Sequence, residues 1–250
     1  MSPPGTRVAL VTGAGKRIGR HIALALAGDG WTVGVHYNRS AAEAEAVASM
    51  IREGGGRAEA FGADLSDPDS HAGLVGSVAG EFGAPVTCLV NNASTFVADT
   101  AGDPHAYALN MAVNLHAPLA LSAQMASQGA RGVIVHMIDQ RVLKPNPLYF
   151  SYTLSKAALH WAVKTQAQAF APDARVCGVG PGPTLRNTDQ ADGEFEAEAA
   201  ATLLGEGSPP DTIVEAVRYL VSARAVTGQM IAVDGGQHLL WATPDLMVGP

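Results

Sequence analysis

Short apolar runs alternate with longer amphipathic stretches along the whole chain. Runs at 8–12, 32–37, 57–61, 86–91, 132–137, 175–179 and 230–233 read as strands. Between them, 17–27, 41–52, 67–81, 105–127, 150–170 and 210–222 carry helical periodicity. Strand then helix, repeated in this way, predicts an α/β fold: a doubly wound parallel sheet of about seven strands with helices on both faces. Leu10, Val35 and Leu89 lie in near-continuous apolar runs, the pattern of strands covered on both sides. No Pro/Ser-rich linker interrupts the chain and no repeat recurs, so residues 1–250 read as one domain. The region 181–207 breaks the rhythm with an irregular stretch and an acidic helix candidate near 194–204, and it is expected to form a mobile substrate cover.

Composition narrows the class. Hydrophobic residues make up 47% of the 250 positions and charged residues 16%, ample for a core and unlike a disordered chain. The net charge of −7, with Lys and Arg scattered, argues against a nucleic-acid partner. Cys88 and Cys177 fall in separate strand-like runs and are expected to be reduced, buried and inert. The first seven residues lack a long apolar signal core, and no run of eighteen apolar residues occurs, so a soluble cytoplasmic protein without a membrane partner is expected. His21, His71, His105, His116, His136, His160 and His238 show no ligand spacing with Cys or carboxylates, and no metal site is expected. Trp161 is expected to serve packing rather than chemistry.

The chemistry concentrates around Tyr152. Lys156 lies four positions later, on the same helix face, and Asp139 lies thirteen positions earlier. An ammonium beside a phenol is expected to lower the phenol pKa and make it a proton donor near neutrality, with the carboxyl group as a second proton-handling group.

The cofactor signals fall at strand ends. The turn Thr12-Gly13-Ala14-Gly15-Lys16-Arg17-Ile18-Gly19 joins the first strand to a helix, where close backbone approach and free N–H groups suit a pyrophosphate. The second strand ends in His36-Tyr37-Asn38-Arg39-Ser40 without an acid before Glu43. Arg39, with His36 and Ser40, suits a 2′-phosphate and points to NADP(H). Asp64-Leu65 after the third strand offers a carboxylate for an adenine amino group. Asn91-Asn92-Ala93-Ser94 after the fourth can hold backbone near the cofactor riboses.

Together with Asn114, Pro181-Gly182, Thr227-Gly228-Gln229 and Asp234-Gly235-Gly236, these segments resemble the short-chain dehydrogenase/reductase family from about residue 7 to 237, in the expected order. The resemblance implies a Rossmann-like fold, with Tyr152 as catalytic acid/base, Lys156 on the nicotinamide ribose and Asn114 holding a water of the proton relay. It also implies cofactor contacts from Ile18, Met137, Pro181, Gly182 and Thr184, and a homotetramer. Two positions depart from the commonest pattern: Arg17 stands where a middle glycine is usual, and Asp139 where a serine usually polarises a carbonyl. An ionised Asp cannot donate to a ketone oxygen and would repel charge developing there.

Both departures resemble the pteridine reductase branch, as do His36–Ser40 and the aromatic in Asn92-Ala93-Ser94-Thr95-Phe96. That resemblance implies a pterin as small-molecule substrate, stacked by Phe96, with Ser94 and Arg17 reaching the cofactor phosphates and the polar ring edge. Asp139 and Tyr152 would then protonate a nitrogen. Two rival expectations are reduction of a ketone (or oxidation of an alcohol) and a non-enzymatic NADP-binding role.

Overall fold

The computed structural model describes residues 6–187 and 190–241. The first five residues, and positions 188–189 of the expected cover, lie outside the described residues. Seven strands, β1 (Val8–Val11), β2 (Thr32–Tyr37), β3 (Ala58–Gly62), β4 (Val86–Asn91), β5 (Gly132–Met137), β6 (Ala174–Pro181) and β7 (Met230–Val233), form one sheet in the order β3-β2-β1-β4-β5-β6-β7. Every neighbouring pair is parallel, and Leu10 lies between Gly34 of β2 and Leu89 of β4.

Alternation along the strands fills two cores. Ala9 and Val11 face one side with α1 (Arg17–Gly28), α2 (Ala41–Glu53) and α9 (Pro210–Ser222). Val8 and Leu10 face the other, with α4 (Leu74–Phe82), α6 (Ala117–Ala126) and the far end of α7 (Phe150–Phe170). Cys88 and Cys177 are buried, unbridged thiols; burial pushes Cys88 up to about 12 and raises Cys177 as well. Strand order reverses between β1 and β4, and at such a switch point the loops leaving two adjacent strands part and open a crevice. The glycine turn and the asparagine turn are therefore brought side by side.

Four elements differ from expectation. The stretch 67–81 splits into α3 (Pro68–His71) and α4, with Gly73 at the break. The stretch 105–127 becomes α5 (Pro104–Met111), a π-helical turn (Ala112–His116) and α6. An α-helix would need the N–H of residue 118 to reach the Asn114 carbonyl, and Pro118 has none. Strand β6 runs on to Pro181 because Gly180 and Pro181 still pair with Ala232 and Val233. The acidic candidate near 194–204 contracts to α8 (Glu194–Ala200). Trp161, expected to pack, is 68% exposed on α7. No helix among the described residues is long and apolar enough to cross a membrane.

Candidate active site

Asp139 follows β5 and caps the short 3-10 turn Gln140–Val142, its Oδ1 accepting the Arg141 N–H at 2.7 Å. Its Oδ2 accepts the Tyr152 hydroxyl at 2.7 Å. The Arg141 guanidinium lies 3.4 Å from Oδ2 and 3.5 Å from Oδ1, holding the carboxylate from its open side. The Asp139–Tyr152 pair is nearly closed to solvent, with Asp139 9% and Tyr152 5% exposed.

That geometry reverses one expectation. Burial first, then the charge of Asp139 and the hydrogen bond to it, push the Tyr152 phenol well above its ordinary range; only Arg141 pulls the other way. Lys156 does not soften it. Its Nζ donates to the Met137 carbonyl at 2.8 Å and sits 5.8 Å from the Tyr152 ring centroid. Burial lowers Lys156 to about 8, against the pull of Asp139. Tyr152 is therefore a phenol that keeps its proton, hydrogen-bonded to a carboxylate, rather than a partly ionised one. Met137 contributes this carbonyl while its side chain stays in the core.

Phe96 stands over this pair. Its ring meets Tyr152 edge-on at 4.8 Å and stacks on Tyr149 at 4.4 Å with an interplanar angle of 15°. The Arg141 guanidinium carbon is 5.3 Å from the Phe96 centroid and 5.2 Å from that of Tyr149. Phe96 thus adjoins the proton-handling pair, with one face covered by Tyr149. The loop carrying it is fixed to α7, whose second N–H (Ser151) is capped by Asp99 at 3.1–3.2 Å.

Asn114 is fully buried in the π-helical turn, where its amide positions that loop. Oδ1 accepts from the Thr95 N–H at 2.9 Å and Ser94 Oγ at 3.0 Å, while Nδ2 donates to Thr95 O and Ser155 Oγ at 3.0 and 3.1 Å. Ser94 is thereby turned toward Asn114. Asn110, Ser151 and Ser155 extend the network. Sequence reasoning missed these residues and Arg141. Only Pro118 signalled the irregular turn, and Asn110 was one helical turn before Asn114.

At the cofactor end the structure redistributes several roles. A Cβ at Gly13, whose φ is 63°, would lie 3.0 Å from Ala93 Cα, and one at Gly19 would lie 2.5 Å from Asn92 Nδ2. The missing Cβ atoms let the two turns nest, pinned by Thr12 Oγ1, which accepts from the N–H groups of Asn92 and Ala93 at 2.9 and 3.0 Å. His36 is not available to a phosphate. Its Nδ1 accepts the Gly13 N–H at 3.0 Å, so Nε2 carries the proton and donates to Ala63 O at 3.1 Å. Burial lowers its pKa to about 4. Asn91 also turns away: its Nδ2 donates to Ser122 and His136 beneath the turn.

Arg17 adopts φ 52° at the position where a glycine is usual. Its guanidinium donates to Arg186 O, Leu185 O and Asn187 Oδ1 at 2.8–3.0 Å, so it faces the 181–207 segment rather than a phosphate or a substrate edge. Ile18 packs on the core beside it. Leu65 is a core side chain. Asp64 spends Oδ1 on the Ser66 hydroxyl and N–H at 2.7 and 2.9 Å, which hold its carboxyl below the usual range. Pro181 ends β6, Gly182 closely approaches Asp234, and Thr184 bonds back to Gly182 O. Asn38, Arg39 and Ser40 remain at the end of β2 with no side-chain hydrogen bond among the described residues, and Arg39 is exposed. A nested glycine cradle at the N-terminus of a 12-residue helix, beside the exposed Arg39 guanidinium, fits a dinucleotide bearing an extra phosphate.

A family profile described as short chain dehydrogenase matches residues 7–198. The FolM alternative dihydrofolate reductase 1 from Brucella canis, in its crystal structure complexed with NADP, is 42% identical with a TM-score of 0.92, covering 96% of this chain and 97% of that one. L-xylulose reductase of Bos taurus is 33% identical over 92% of this chain and 96% of its own length. Dihydromonapterin reductase of Klebsiella pneumoniae is 28% identical over 96% of this chain and all of its own.

Proposed function

The chain belongs to the short chain dehydrogenase family, and from that premise we propose that it is an NADPH-dependent reductase of a C=N bond in a dihydropterin or dihydrofolate. The observation that carries the reading is the Tyr152–Asp139 hydrogen bond at 2.7 Å, braced by Arg141 beside Phe96. Gly13, Gly19, Arg39 and Lys156 would hold the cofactor, which when bound supplies a hydride to carbon. The likeness to the NADP-bound structure and to the dihydromonapterin reductase supports the same reading.

The chain's own contribution is the proton. Saturating C=N takes a hydride at carbon and H⁺ at nitrogen. A phenol that gave up its proton beside an ionised Asp139 would leave two adjacent anions in a buried site. The phenol therefore gives its proton to the ring nitrogen as a solvent proton reaches the pair, which ends as it began, with one proton in the hydrogen bond seen here. Arg141 fixes the carboxylate's direction, Asn114 and its loop fix Phe96, and the flat ring lies against Phe96. The segment 181–207 covers the substrate. The protein works in the cytoplasm as a homotetramer, for which the exposed apolar side chains of α7, Leu154 and Trp161 among them, supply a contact face.

The likeness to L-xylulose reductase favours a second reading, ketone reduction. A carboxylate where the ketone oxygen would gather charge works against it. Following NADPH oxidation with dihydropterins and with ketones separates the two. Asp139→Ala and Tyr152→Phe should each lower pterin turnover by about a hundredfold or more, with NADPH affinity nearly intact. Full activity in either variant, or consumption of ketones alone, would overturn the proposal.

A further inference from the structure

Beside the proton-handling pair lies a cavity of about 610 Å³, within the size range of small-molecule sites. Arg141 is common to both places: its guanidinium rests on Asp139, and it lines the cavity wall. Next to it in the same wall are Gln140 and Lys144, followed by Pro145, Pro147 and Leu148.

Three properties of this wall belong together. Lys144 reaches only a backbone carbonyl, that of Leu240 at 3.3 Å, and among the described residues no carboxylate lies within ion-pair distance of it. The Oε1 of Gln140 is buried without a hydrogen-bond partner among the described residues, an acceptor in want of an N–H or O–H donor. The prolines and Leu148, itself 61% exposed, add apolar surface to the same lining. Glu198, also in the lining, has both oxygens hydrogen-bonded, accepting from Gln237 at 3.1 Å and Gln190 at 3.2 Å.

We infer that this cavity is a subsite for an anionic, amide-bearing tail on the substrate, so that a folate-type pterin is preferred to one with a neutral polyol tail. The inference rests on the pterin reading above. In this arrangement a carboxylate meets Lys144, the Gln140 side chain turns its Oε1 outward to an amide N–H, and an aromatic linker lies on the proline wall. A polyol would leave the ammonium without a counter-ion and the apolar wall wet. Lys144 is a specificity residue here: it touches neither Asp139 nor Tyr152 and has no part in proton transfer.

The test compares the native protein with Lys144→Gln, loaded with NADPH, on dihydrofolate and dihydromonapterin. A lost charge-assisted contact near a surface should raise KM for dihydrofolate by about fivefold to twentyfold at unchanged kcat and leave dihydromonapterin within about twofold. Equal effects on both substrates, or none on either, would overturn the subsite. Binding of p-aminobenzoyl-glutamate alone to the NADP-loaded protein reads the same cavity without turnover. Weaker binding to Lys144→Gln supports the subsite even if no pterin is reduced, in which case the functional reading fails instead. Equal or absent binding to native and variant proteins overturns the subsite while leaving pterin reduction standing.

Discussion

The guanidinium of Arg17 donates to Oδ1 of Asn187 at 3.0 Å, tying the first glycine turn to a residue 170 positions later. Two further bonds from the same group hold the carbonyls of Leu185 and Arg186. A non-glycine residue at φ 52° gives up about 1–2 kcal/mol of backbone comfort to sit there. Arg17→Gly should relieve that strain while removing the tie. The expected result is a melting temperature within a few degrees of native, with about tenfold faster amide exchange around 185–187. Arg17→Ala keeps the strain, loses the tie, and should melt lower than Arg17→Gly. Unchanged exchange in both variants would show that the tie has no holding role.

Arg39 is the candidate for the cofactor choice. It is exposed and has no side-chain hydrogen bond among the described residues, in contrast to His36, whose ring is fully engaged within the fold. Arg39→Asp should move the ratio of NADPH to NADH affinity toward NADH by about tenfold to a hundredfold, the value of one or two charge-assisted bonds. His36→Asn should instead disturb the glycine turn and weaken both cofactors alike. Isothermal titration with each nucleotide distinguishes these outcomes, and an unaltered preference in Arg39→Asp would exclude it as the selector.

Acid should weaken the fold through two buried imidazoles. His36 and His136 are held neutral, each lowered by burial to about 4; His136 is lodged between Asn91 and Gln166. In the unfolded chain both take up a proton near 6.5, so the unfolded state binds more protons between that value and 4. Stability is full above about 6.5 and is lost as pH falls toward 4, by about 3 kcal/mol for each histidine. Urea unfolding at steps from pH 7 to 4 should show this slope, and His136→Asn should flatten it. A native protein equally stable at both ends would contradict the assignment.

Much of this was legible in the chain. Strand runs such as 86–91 and 132–137 emerge with unchanged limits because a strand buried on both faces is apolar throughout. Asp139 and Tyr152 meet although one follows a strand and the other lies on a helix, because both emerge near the same sheet edge. What sequence could not give was direction. Asn91 and Asn92 are neighbours, yet one amide points below the turn and the other reaches Thr12 and Gly13. Arg17 and His36 occupy expected positions, but their polar atoms serve the fold. Arg141 had no motif; its place is set by the tight turn that Asp139 caps.

The stacked rings of Phe96 and Tyr149 have a last consequence for what can bind. A visitor seeking the covered face of Phe96 must displace a phenol already lying parallel to it at 4.4 Å. Only a planar guest of comparable breadth recovers the contact given up, about 0.5–1.5 kcal/mol beyond simple area burial. Puckered or slender molecules would exchange a good neighbour for a poor one. Flatness is thus screened by competition before any bond is made or broken.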